Sequence, residues 1–272
     1  MGETRGQRWR RRLYHYGRHP WRWTRYLVEH EVLHQEVRFG NHPRFRDWSP
    51  MYHLCRSDLA RLCRVRPEEL DPYFEELAPL HATLADEVTN LPAAGALWQA
   101  PLLYILVRSS RPKWLIETGI SSGYSSRFLL EALARNGTGH LDSIGVDELA
   151  IGRTPEAVAR TIAGRPVGWL VPERLHDRWG RHVGTSQEIL PNLFDGRDES
   201  LDVFLHDSEH IYATMISEYA SAFPHLTSDG WLLSHDIHNS SAWNEFLARN
   251  GLRGDAELDH DLGAVRRVAT AG

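Results

Sequence analysis

At 272 residues the chain can bury roughly three quarters of its unfolded surface, enough for one α/β domain with an appended segment and no disulfide or metal staple. The formal charge of −5 hides an asymmetry: Arg5, Arg8, Arg10, Arg11, Arg12, Arg18, Arg22 and Arg25 face a single acid, Glu3, and the remainder is acidic. Cys55 and Cys63 are spaced neither as a zinc knuckle nor as a disulfide framework. No apolar run is long enough to span a bilayer, and no apolar core follows the arginines as in a secretory signal, so a cytoplasmic protein without a membrane span is expected.

The first elements in chain order are helices and loops. Trp9, Tyr14, Tyr16, Trp21 and Trp23 alternate with the N-terminal arginines. We read this arm as packing on an acidic neighbour or a second subunit, giving a homo-oligomer, rather than on nucleic acid, because only this short segment is basic. Tyr26-Leu27-Val28 with Val32 and Leu33, then Leu54, Leu59 and Leu62, then Tyr73, Phe74, Leu77 and Leu80 show helical spacing without β alternation. Residues 1–95 are therefore read as a helical cap or oligomerisation region and 96–272 as the main domain. A helix is expected over 97–107, ended by Arg111-Pro112.

From Lys113 strands alternate with helices. This predicts an α/β fold with a Rossmann-like, seven-stranded, mostly parallel sheet and helices on both faces. Strands are expected at 114–118, 141–146, 167–171, 201–206 and 231–234, with a closing pair at 255–258 and 263–268. Between the fourth and fifth, Tyr212, Met215, Ile216, Tyr219 and Phe223 mark one helical face. The first strand runs through Glu117-Thr118-Gly119 into a loop punctuated by Gly119 and Gly123, then a helix that stops at Asn136-Gly137. The spacing E-x-G-x-x-x-G departs from the G-x-G-x-x-G of dinucleotide sites, and an acid at the strand end suits a ligand bearing an ammonium group.

Ligands of open α/β sheets collect beyond the C-terminal strand ends. Asp147 follows the second strand, where a carboxylate can take both ribose hydroxyls. His206-Asp207-Ser208-Glu209-His210 follows the fourth, and His235-Asp236-Ile237-His238 the fifth. Asp207 and Asp236 are expected within reach of one divalent cation, with His238 as a candidate further ligand and His210 as the base. Plainer roles stay open: Asp207 as a helix cap, Glu209 and His238 as solvated loop residues, Asp142 and Asp202 at strand entrances. His206 and His235 point away from the aspartates if the strands alternate.

Glu117-Thr118-Gly119, Leu205-His-Asp-Ser-Glu-His-Ile-Tyr212 and Ser228-Asp-Gly-Trp-Leu-Leu-Ser-His-Asp236 together resemble bacterial class I S-adenosylmethionine-dependent methyltransferases, the group that includes macrolide-sugar O-methyltransferases and cephalosporin-hydroxylase-like proteins. The similarity covers residues 97–268. It implies an S-adenosylmethionine site formed by Glu117, Gly119, Ser121, Gly123 and Ser125, with Asp147 on the ribose, Thr185 and Ser186 near adenine, and Asp207 alongside. It also implies Mg²⁺ or Mn²⁺ at Asp207 and Asp236 and proton removal by His210 from a small-molecule hydroxyl, as in biosynthetic O-methylation. Relatives often carry paired acids where this chain has His235-Asp236, which leaves Fe²⁺, Zn²⁺ or no metal open. The alternatives are a metal-independent N- or O-methyltransferase and a non-catalytic nucleotide-binding scaffold.

Overall fold

The computed structural model describes residues 38–91, 93, 96–146 and 165–268. The basic aromatic arm and Asp147 lie outside the described residues. The strands are β1 (Trp114–Thr118), β2 (His140–Gly145), β3 (Trp179–Val183), β4 (Leu201–His206), β5 (Leu226–Ser234), β6 (Ala256–Leu258) and β7 (Leu262–Arg266). They form a seven-stranded sheet in the order β3-β2-β1-β4-β5-β7-β6. β1 to β5 are parallel, and β7 runs antiparallel between β5 and β6. The Rossmann-like sheet expected from the alternating pattern is therefore present.

Strand alternation sorts the core into two layers. Leu115, Leu141, Val203, Leu205 and Leu233 pack with α1 (Ser49–Cys63), α2 (Asp71–Val88), α3 (Ala100–Ser110) and α4 (Tyr124–Asn136). Ile116, Ile144, Phe204, Leu232 and Val265 face the other way, toward α5 (Ser186–Phe194), α6 (Tyr212–Ala222) and α7 (Ala242–Arg249). Side chains i and i+1 of a strand point to opposite faces, so unbroken apolar runs such as Val203-Phe204-Leu205 feed both layers at once.

Local chemistry sets the helix ends. Pro101 lies in the first turn of α3, where its missing N–H is not needed, and Arg111 turns left-handed at φ 50° before Pro112. The helix therefore starts and ends three residues later than its apolar spacing suggested. α4 stops where expected, at Gly137 with φ 71°. Cys55 and Cys63 both lie on α1 as free thiols, and burial pushes each up to about 11.

One expected strand is misplaced. Residues 167–171 form turns, and the third strand is Trp179–Val183. Pro166 cannot donate to a ladder, and Gly168 is left-handed at φ 77°. The N–H groups of Gly168 and Leu170 instead bond the carbonyls of Ser121 and Ser122, at 2.8 and 2.9 Å. β3 escaped notice because it is a half-exposed edge strand that pairs with β2, and Trp-Gly-Arg-His-Val offers no apolar run. Asp202 sits at a strand entrance as expected, accepting from the N–H groups of Lys113 and Trp114. Asp142 lies further into the sheet, bonded to Trp114 Nε1 at 2.8 Å and 2.7 Å from His182 Nε2.

Candidate active site

The loop between β1 and α4 is organised around Glu117, which is 0% exposed. Its carboxylate accepts from the Ser125 hydroxyl, from Ser126 at 2.5 Å and from Ser143 at 2.8 Å. Ser143 is its register partner on β2, and Trp179 Nε1 of β3 donates to that same Ser143 hydroxyl at 3.0 Å. Burial is the largest influence on the Glu117 carboxyl and pushes it up to about 7 against the pull of the three serines.

The glycines of this loop are required by space. Gly119 has φ 94°, and a Cβ there would lie 2.1 Å from the carbonyl oxygen of Asp207. Gly123 has φ 85°, with a Cβ 2.9 Å from Gly168 Cα. Ser121 is left-handed at φ 46°, and its buried hydroxyl has no hydrogen-bond partner among the described residues. An orphaned hydroxyl beside close-packed backbone fits a loop that receives a ligand. At the C-terminal end of β3, Thr185 caps α5, its hydroxyl donating to Glu188 Oε2 at 2.7 Å. Ser186 opens that helix and is buried.

The ends of β4 and β5 bring four side chains together. His235 Nδ1 lies 2.7 Å from Asp207 Oδ1, and its Nε2 is 3.7 Å from Asp236 Oδ1. His210 Nε2 is 3.6 Å from Asp207 Oδ1, with its Nδ1 3.5 Å from Asp236 Oδ2. Two carboxylates thus alternate with two imidazoles. Burial favours a neutral His235, but Asp236 and Asp207 outweigh it and push the ring up to about 9. Burial likewise pushes Asp207 upward, and His235 and His210 together hold it below its usual range. The expectation that His235 points away from the aspartates is corrected. β5 ends at Ser234, and Asp236 is left-handed at φ 52°, so strand alternation no longer governs this turn.

The structure groups a different set of candidate metal ligands from the one expected. Asp207, His210 and His235 each offer a ligand atom within 4.8 Å of the others, a set to which, among the described residues, neither Asp236 nor His238 belongs. His238 bonds Glu257 Oε1 of β6 at 2.9 Å, and Asp236 accepts from Asn239 Nδ2 at 2.7 Å. One oxygen and two nitrogens do not match the oxygen cage of Mg²⁺. His235 already lies between the carboxylates as their counter-charge. The fit to a hard cation fails on this donor set.

Residues 116–237 match the model of a family described as a methyltransferase domain. That match covers less than half of the chain. The domain is similar in fold to the O-methyltransferase NovP (14% identity, 66% of this chain and 85% of that one, TM-score 0.47). A second likeness is to TomG from Streptomyces achromogenes, an O-methyltransferase involved in tomaymycin synthesis and solved with S-adenosylmethionine (20%, 61% and 76%, 0.41). A third is to an O-methyltransferase from Bacillus cereus bound to S-adenosylhomocysteine (18%, 61%, 0.39), of which the match spans 66%, just under two thirds. No curated protein matches the chain.

Two parts of this site escaped sequence reasoning. Ser126 and Ser143 share Glu117, and a polar residue beside it on the next strand was the available signal. Glu218 accepts from Thr118 Oγ1 at 2.6 Å and pairs with His206 Nδ1 at 2.6 Å. Its signal was an acid on the inward face of α6, three residues after Met215 and next to Tyr219.

Glu117 gives the protein a testable pH dependence. Its folded pKa of about 7 lies above the ordinary 4.5, so its stabilising contribution is complete below pH 4.5 and is lost as pH rises through 7. Relative to Glu117→Gln, the wild type should lose roughly 3 kcal/mol between those limits. Urea unfolding at pH 5 and pH 8 measures this, and equal slopes for the two proteins would refute it.

Proposed function

We propose that this enzyme methylates a hydroxyl group of a small molecule and that His210 removes the hydroxyl proton. The observation that carries the reading is His210 Nε2, which is buried without a hydrogen-bond partner among the described residues while both ring nitrogens face carboxylates. S-adenosylmethionine supplies, when bound, a sulfonium methyl whose C–S electron pair leaves on sulfur. Gly119, Ser121 and Gly123 would hold its methionine end, with Glu117 and Ser125 behind them and Asp207 alongside. The acceptor proton passes to His210 Nε2. Asp236 orients the N–H at Nδ1, and Asp207 and Asp236 stabilise the imidazolium that forms. His235 keeps the two carboxylates from repelling each other.

No step in this scheme needs a cation, because His235 occupies the place between the aspartates. Turnover should be indifferent to EDTA and unstimulated by added Mg²⁺ or Mn²⁺. Loss in EDTA with recovery on adding either ion would overturn this part. The reaction class is tested by incubating enzyme and S-adenosylmethionine with alcohols, phenols and amines. S-adenosylhomocysteine release is read together with the mass and methylation site of the product. Hydroxyl methylation is expected, and methylation of amines alone would refute it.

A further inference from the structure

We propose that Glu218 is a positioning residue for methyl transfer, holding the turn that carries Asp207 and His210 from behind the site. The inference rests on the role given to His210 above. Glu218 lies on α6 and is 1% exposed, yet burial is outweighed by its partners, and its carboxyl stays below the usual range. Its oxygens accept from Thr118 Oγ1 at the end of β1 and Ser208 Oγ next to Asp207 (2.8 Å), and pair with His206 Nδ1 at the end of β4. Ser186, at the start of α5, also helps hold its charge.

A buried carboxylate is costly unless every oxygen is engaged, and the neighbours of Glu218 on the inward face of α6 are Met215, Tyr219 and Ala222. An apolar residue would fill this place if packing were all that mattered. The partners of Glu218 instead converge on the C-terminal ends of β1 and β4, the edge where the β1 loop meets Asp207. Glu218 holds the Nδ1 edge of His206, whose Nε2 is buried and without a partner among the described residues. The His206 ring stands perpendicular to that of His210, with centroids 5.4 Å apart. Glu218 thus fixes the plane of His206. His206 in turn packs against the His210 ring, and Ser208 fixes the backbone between Asp207 and His210.

Glu218→Gln keeps the shape and removes the charge. It should lower kcat about 10- to 100-fold, the scale seen when a side chain that orients a functional group is removed, with the S-adenosylmethionine Kd nearly unchanged and a shifted pH–rate profile. Ser208→Ala, at a partly exposed turn that should tolerate it, should lower kcat to a smaller extent with the same unchanged Kd. Unaltered kcat in both variants would overturn the proposal. So would parallel loss of kcat, cofactor affinity and melting temperature in both, the mark of a merely structural residue. Because S-adenosylhomocysteine release is read with whichever acceptor the wild type uses, a preference for amines would refute hydroxyl methylation and leave this test intact.

Discussion

His210→Gln is expected to lower kcat by about 10²- to 10⁴-fold, the range that a positioned proton acceptor contributes, while S-adenosylmethionine binds almost as before. His210 lies in the turn between β4 and α6 and not in the β1 loop that would hold the cofactor. Glutamine preserves much of the side-chain volume but cannot take a proton near neutral pH. Both neighbouring carboxylates then lose the imidazole ring that stands between them. Initial rates at saturating cofactor, paired with calorimetric titration, separate the two effects. Full turnover in the variant, or equal loss of turnover and affinity, would remove His210 from this role.

Gly119→Ala should have the largest effect on the cofactor. A Cβ there would lie 2.1 Å from the Asp207 carbonyl oxygen, 2.5 Å from its carbon and 2.9 Å from the Ser208 nitrogen. These are backbone atoms and cannot swing aside. The substitution also strains a residue at φ 94°, so a stability loss of roughly 2–4 kcal/mol is expected. The β1 loop must then separate from the turn that carries Asp207, and affinity for S-adenosylmethionine should fall at least about tenfold, roughly 1.4 kcal/mol or more. Gly137→Ala is the control. It is also left-handed, at φ 71°, but faces open space, so it should cost only about 1 kcal/mol and leave cofactor affinity unchanged. Equal behaviour of the two variants would show that the contact with Asp207 is unimportant.

Legibility in the sequence followed the range of each interaction. β1 and β4 were readable to the residue because a buried parallel strand must be a short apolar run bounded by turns, as Trp114–Thr118 and Leu201–His206 are. The half-exposed β3 lacked that signature. Pro166, Gly168 and the apolar Trp169-Leu170-Val171 resembled a strand, but their backbone braces the β1 loop. Asp207 and His210 were legible as a pair because they sit on one turn three residues apart. His235 and Glu218 were not, because their roles depend on neighbours 28 and 12 residues away, Asp207 and His206.

The sequence by itself determined the class of sheet, the glycine-punctuated loop after β1 and the polar ends of β4 and β5, since these depend on strand burial, turn chemistry and side-chain type at fixed spacing. Tertiary structure decided which groups meet. It placed His235 between two aspartates, turned His238 toward Glu257, and buried Glu218 under the strand ends. Strand alternation fixes direction only within the strand. Beyond Ser234 the left-handed turn at Asp236 and the electrostatics of packed neighbours fix the side chains, and these arise only once β4, β5 and α6 have come together.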